Sequence, residues 1–253
     1  MSVIIGWRRF GFGFFTLAMV AVFISLGVWQ LQRRVEKHAL IAALTERLAA
    51  EPAPLPAELE WNKLTAEQDE FRRVRFTATY GAGEDAMVYS SGSTLRDDIA
   101  GPGTWAFIPA RLANGETIVI NAGFVPNTMQ DRAQQDRVMA RVVTAEPTEL
   151  TGYLRFPESP SLLRPLPDIA KRLWFARDHL AMARALQWGS RGTAVAPFYI
   201  DLEQPVPASG VPKPGPLQVH LKDDHLQYAI TWFSLAGALV IAFGWWRRGQ
   251  RRA

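Results

Sequence analysis

The chain has 253 residues, 48% of them hydrophobic and 21% charged, with a formal net charge of +4 and no cysteine. The lack of thiols excludes disulfides, thiolate metal sites, iron–sulfur clusters and cysteine nucleophiles. The modest positive charge sits largely beside two apolar stretches, so it reads as a membrane-topology signal, and no nucleic-acid partner is expected.

The first apolar stretch runs from Phe10 to Gln32 without a charge, between Arg8-Arg9 and Arg33-Arg34. About 20 predominantly apolar residues cross a hydrocarbon core of ~30 Å, and each central Leu, Ile, Phe or Val favours insertion by about 0.3 to 0.6 kcal/mol. Residues 10–32 are therefore predicted to form a transmembrane helix behind a short cytoplasmic segment, residues 1–9. A cleaved signal peptide is the competing reading; the length of the run and the lack of an A-x-A-like site after it favour a retained anchor. Val35 to Ala50 is rich in Ala, Leu, Glu and Lys and continues the helix beyond the span, until Glu51-Pro-Ala-Pro-Leu-Pro breaks it.

Residues 33–224 suffice for one domain with its own core. Phe71 to Tyr80 alternates apolar and polar residues as a half-buried strand does, and Met87–Ser90, Trp105–Leu112 and Thr117–Val125 repeat the pattern. Asn114-Gly115 predicts a type I′ hairpin turn between the last two. Asn127 to Arg141 is charged and Gln-rich and is expected to be a solvated helix or connection. Further strands are expected at Glu149–Phe156, Arg172–Ala176, Pro197–Leu202 and Leu217–Leu221, with a short helix from Asp178, its cap, to Trp188. The expected fold is two transmembrane α-helices flanking an α+β, mainly antiparallel extracytoplasmic domain, a small barrel or a sandwich.

The second apolar stretch runs from Leu226 to Trp246, between Asp223-Asp224 and Arg247-Arg248. Residues 225–246 are read as a second span and 247–253 as a basic cytoplasmic tail. Trp7, Trp29, Trp232, Trp245 and Trp246 fall near the span ends, where indoles favour headgroups. Arg247, Arg248, Arg251 and Arg252 hold the tail in the cytoplasm, against Lys222 beside two aspartates at the other end. Two spans then put Arg8 and Arg9 on the same side, although Arg33, Arg34 and Lys37 pull the first helix the other way. The large domain is thereby expected outside the cytoplasm.

No G-x-S-x-G, H-E-x-x-H or Walker-type pattern occurs, so an enzyme is not expected. Of the four histidines, His38 lies among charges, His179 follows a helix cap and reads as structural or exposed, and His220 alternates in a strand. His225 is the last titratable residue before an apolar helix, a position where ionisable groups tend to serve function. Helical offsets place Tyr228, Ala229, Trp232 and Ala236 on its face, so it serves either as a ligand for a flat apolar molecule or as an interfacial anchor within an aromatic belt.

The segment from His225 to Phe233 (HLQYAITWF), with Gly27-Val-Trp-Gln-Leu-Gln-Arg-Arg-Val-Glu-Lys-His-Ala-Leu-Ile at the first span, resembles the Surfeit-locus-1 family of cytochrome c oxidase assembly factors. Asn114-Gly115, Ile120 to Pro126, Thr151 to Arg155 and Pro197 to Asp201 match in the same order, so the resemblance covers essentially the whole chain. It departs where the family has Asn-Arg-Gly-Trp and this chain has Asn121-Ala122-Gly123-Phe124, and at Asp224, where Asn is usual; the lost arginine weakens any ligand role for that loop. The resemblance implies a factor that binds haem a and passes it to the catalytic subunit of a haem-copper oxidase, with the haem a synthase a possible further partner, and it implies His225 as axial ligand to the haem iron. Placement alone adds Trp29, Tyr228 and Trp232 as covers for the ring, Arg33, Arg34 or Lys37 as partners for propionates, and Asp223 or Asp224 as the group orienting the imidazole. The alternative is a scaffold that docks oxidase subunits without a cofactor, its helices associating through Ala21-x-x-x-Ser25 and Ser234-x-x-x-Ala238. No Arg- and Ser-rich transit segment precedes the first span, which favours a bacterial inner membrane.

Overall fold

The computed structural model describes residues 2–81, 84–93, 95–129, 131–159, 164–189, 194–218 and 223–252, the backbone alone at 2–10 and 251–252. In chain order the elements are α1 (Ser2–Ala49), β1 (Ala53–Pro54), a 3-10 turn (Glu58–Lys63), α2 (Ala66–Asp69), β2 (Arg73–Tyr80), β3 (Ala86–Ser90), β4 (Gly103–Leu112) and β5 (Thr117–Pro126). A second 3-10 turn (Asn127–Met129), α3 (Arg132–Val142), β6 (Thr148–Arg155), β7 (Leu173–Trp174), α4 (His179–Ala185), β8 (Val195–Gln204) and α5 (His225–Arg252) follow. They form two compact units, Met1–Ala43 with Leu221–Ala253, and Leu44–His220.

The first unit is a helix pair. Gly11–Ala49 and His225–Gln250 are each long and apolar enough to cross a membrane, and only 11% of the most apolar window of either is buried, unlike the core helix of a soluble protein. Polar side chains within the spans turn inward on their own helix: Thr16 Oγ1 donates to the Phe12 carbonyl at 2.9 Å, Ser25 Oγ to Ala21 at 2.8 Å and Thr231 Oγ1 to Gln227 at 2.9 Å. Each hydroxyl thereby finds a partner without water. The helices meet along a stripe at helical spacing in which Thr16, Gly27, Ala229 and Ala236 are buried. A Cβ on Gly27 would stand 2.5 Å from the Phe233 ring, so glycine is what lets that ring lie against α1. Phe23 stacks on Trp232 with centroids 5.7 Å apart, and Phe12 packs edge-on to Trp246 at 4.8 Å. The pair does not use the small-residue spacings expected to associate: Ala21, Ser25, Ser234 and Ala238 are all exposed.

The second unit is built on one eight-stranded sheet in the order β1-β2-β6-β8-β5-β4-β3-β7. Most ladders are antiparallel; β1–β2, β3–β7 and β5–β8 are parallel. β2 pairs with β6 along Arg73–Ala78 and with β4 at Ala78–Tyr80, so the sheet curls until two of its inner strands, β2 and β4, meet over three residues. Elsewhere the two edges are taken by β1 on β2 and by β3 and β7 beyond β4. The domain is therefore the expected β-rich body between two candidate membrane helices, but its sheet is mixed and curled, neither a closed barrel nor a sandwich.

Alternation sorts the side chains. Val74, Ile108, Ile120, Leu154, Phe198 and Ile200 point to the inner face, with Trp61 and Met139 in the same cluster. The Trp61 indole N–H is satisfied by the Pro56 carbonyl at 2.9 Å. The outer face carries Trp105, Phe107, Val119 and Tyr199, covered by Trp174, Met182 and Trp188, and a separate patch of Leu48, Tyr153 and Leu217.

Several local expectations change. The strand expected from Phe71 begins at Arg73, because Phe71 has φ 66°, a left-handed conformation that ends an extended run. The Asn114-Gly115 turn is not type I′: only Gly115 has positive φ, Gly115 N donates to the Leu112 carbonyl at 2.9 Å, and Asn114 Oδ1 accepts from Glu116 N at 3.2 Å, a three-residue loop with glycine in the left-handed position. Residues 127–141 hold a turn and α3, whose Gln135 and Met139 are buried rather than solvated. β7 is two residues long where five were expected, and β1 was not foreseen. Of the strand expected at Leu217–Leu221, Leu217 and Gln218 are irregular, Gln218 N donating to the Leu95 carbonyl at 2.8 Å; the remainder, with His220, lies outside the described residues.

Candidate functional site

The start of α5 is set by two aspartates. Tyr228 N donates to the Asp224 carbonyl at 3.1 Å, closing the first turn, and Asp223 Oδ1 accepts the His225 backbone N–H at 3.0 Å, an acidic cap at the positive end of the helix dipole. Asp223 Oδ2 lies 2.7 Å from His38 Nε2 and 3.6 Å from Arg34 Nε. The Asp223 carboxyl is accordingly held below its ordinary range, first by the His225 N–H and then, against partial burial, by His38. His38, expected among solvated charges, is half exposed yet bonded.

Asp223 therefore caps the helix and leaves the imidazole ring to another residue. His225 Nδ1 lies 2.7 Å from Gln30 Oε1 across the helix pair. Nε2 makes no hydrogen bond among the described residues. An imidazole with one nitrogen engaged is held in a fixed orientation and could offer its other nitrogen to a metal.

The other expected residues divide. Arg34 joins His225 through Asp223. Trp232 packs on Phe23 inside the helix pair. Trp29 and Tyr228 are 50% and 55% exposed and make no hydrogen bond or ring contact with His225. Arg33 pairs along its own helix with Glu36 at 2.6 Å. A ring nitrogen, exposed aromatics and a half-exposed arginine beside the apolar helices are groups that could hold a flat, apolar ligand with anionic substituents.

The outer face of the sheet holds a second polar cluster that sequence reasoning missed. Asn121 Nδ2 donates to Asp201 Oδ1 at 2.6 Å, Arg155 Nη1 to Asp201 Oδ2 at 2.7 Å and Arg155 Nε to Glu70 Oε1 at 3.0 Å, while the guanidinium lies 4.5 Å over the Phe71 ring. Asn121, Asp201 and Arg155 are only 2%, 5% and 9% exposed. Burial alone would lower the Arg155 pKa, but Tyr199, Asp201 and Glu70 together raise it and keep the charge. The cluster is internally satisfied and ties β5, β6 and β8 together. Its signal was present in three of the matched segments, each of which contributes one member. His179 is structural: fully buried, with Nε2 2.9 Å from the Ala196 carbonyl and its ring 5.4 Å from that of Tyr199. A surface groove of about 630 Å³ is lined by Met87, Tyr89, Met129, Arg132 and Lys171. Arg132 there is spent on Asp85 and Asp136.

Comparison with known proteins agrees with this layout. The sequence model of the SURF1 family matches residues 17–237. Surfeit locus protein 1 of Rattus norvegicus is 32% identical over 253 residues, covering 94% of this chain and 76% of the relative. Surfeit locus protein 1 of Homo sapiens is 29% identical over 243 residues, covering 90% and 74%, and the SURF1-like protein of Drosophila melanogaster is 29% identical over 261 residues, covering 95% and 78%. The matched region takes in most of the first candidate membrane helix, the first half of the second and all of the sheet between them, and the chain belongs to the SURF1 family.

Proposed function

We propose that the protein is a membrane-bound assembly factor for a haem-copper terminal oxidase that holds haem a at the outer edge of the bilayer and passes it to the catalytic subunit. The observation that carries this reading is His225, placed at the first residue of an apolar helix with Nδ1 engaged and Nε2 without a hydrogen bond among the described residues. His225 would hold the iron through one imidazole nitrogen, and a single protein ligand would suit a carrier that must give its cargo up. Arg34, held beside Asp223, is the cation best placed for a propionate, and the exposed rings of Trp29 and Tyr228 offer apolar cover. When bound, the haem supplies the redox-active iron centre that the oxidase needs; this chain orients it and shields it from water.

The domain outside the cytoplasm is the docking body for oxidase subunits, with the haem a synthase as a candidate donor. The orientation rests on the arginines of the tail, and the location proposed with it is a bacterial inner membrane. Purified from cells that make haem a, the protein should show a haem absorption band that His225→Ala abolishes while oxidase subunits still co-purify. Co-purification with no band in the wild type would instead support a scaffold without cofactor.

A further inference from the structure

We propose that Gln30 is a positioning residue for His225, its amide oxygen holding the imidazole as the Nδ1–H tautomer so that Nε2 presents the lone pair, and its lack of charge keeping that donor weak enough for release. The inference rests on the haem-binding reading above and deepens it.

Gln30 lies on the stripe of α1 that faces α5, one turn beyond Gly27 and two beyond Phe23. A polar group on such a seam is costly unless it has a partner, and the only hydrogen bond of its side chain among the described residues is the 2.7 Å contact with His225 Nδ1. An amide oxygen accepts and never donates, so in the neutral ring facing it the proton sits on Nδ1 and the lone pair on Nε2. Were the amide reversed, its NH₂ would donate to Nδ1, the proton would move to Nε2, and no lone pair would face outward. This hydrogen bond thus favours the tautomer that presents a lone pair outward.

Its chemistry also sets the strength of the ligand. A carboxylate behind a metal-bound imidazole draws on the Nδ1 proton and makes the ring a stronger donor. Asp223, two residues from His225, is available for that role but is committed to the backbone N–H and to His38. The ring meets a neutral amide instead, the weaker of the two arrangements and the one suited to transfer.

The test uses the full chain in nanodiscs. In the haem-free, ¹⁵N-labelled protein at about pH 8, above the ordinary imidazole range, the His225 nitrogens should report the Nδ1–H tautomer, and Gln30→Leu should lose that preference. Loaded with haem, Gln30→Glu should lower the haem reduction potential and slow transfer to an apo-globin acceptor by about tenfold or more, whereas Gln30→Leu should speed transfer. An Nε2–H tautomer in the wild type, or a tautomer, potential and transfer rate untouched by both variants, would overturn the proposal. If His225→Ala removes the haem band while the Gln30 variants change nothing, only the role of Gln30 falls; if His225→Ala leaves the band intact, the ligand assignment beneath it falls too.

Discussion

At the scale of residues, the strongest constraints come from groups that water cannot reach. Among the described residues Asp201 is the carboxylate that bonds both Asn121 and Arg155, so Asp201→Ala leaves the buried guanidinium with Glu70 as its remaining described carboxylate. Removing one partner of a buried pair costs about 3 to 5 kcal/mol, and a loss of that size is expected in denaturant titration; a loss below about 1 kcal/mol, the range of an exposed pair, would show the cluster to be solvated. His179 sets an acid limit. Burial, opposed by the Ala196 carbonyl and the Asp178 charge, depresses its pKa from 6.5 to about 4. The unfolded chain takes up this proton first, so the contribution is complete above pH 6.5 and is lost progressively as pH falls toward 4, by roughly 3 kcal/mol at ~1.4 kcal/mol per pH unit. The urea midpoint of His179→Leu should fall less steeply than wild type across that window. His225 was legible because an ionisable residue beside an apolar run stands out in one dimension. Gln30 was not, since its partner depends on the rotation of α1 about its axis, and the Asn121–Asp201–Arg155 cluster joins residues 80 and 46 positions apart.

At the scale of elements, the sequence revealed what a single periodicity controls. Both apolar helices, the alternation of β2, β4, β5, β6 and β8, and the Asp178 cap follow from local pattern. The short strands did not, because β1 and β7 join the sheet through parallel pairing with partners distant in sequence. The loop carrying Pro214 presses against β5 at Gly123, which has φ 125° and where an added Cβ would lie 2.4 Å from the Lys213 carbonyl carbon. Gly123→Ala should therefore cost more than the ~1 to 3 kcal/mol of backbone strain alone, read as a fall in the thermal midpoint, and a neutral result would show that the loop moves freely. In the helix pair, Gly27→Val pushes the Phe233 ring away, and Phe233→Ala should restore the pairing that Gly27→Val weakens, as measured by cross-linking between α1 and α5. Failure of that rescue would place the contact elsewhere.

At the scale of the whole molecule, two apolar helices bracket a β domain, and the reading of His225 as a haem ligand requires both to cross the bilayer with that domain outside the cytoplasm. The chain has no native cysteine, so a single introduced thiol reports its own side of the membrane. Leu166, 87% exposed on the β domain, and Gln250, near the end of α5, are suitable positions. In intact spheroplasts a membrane-impermeant maleimide should label Leu166→Cys at once and Gln250→Cys only after lysis. Labelling of Gln250→Cys in intact cells with Leu166→Cys protected would contradict the account, since His225 would then open toward the cytoplasm.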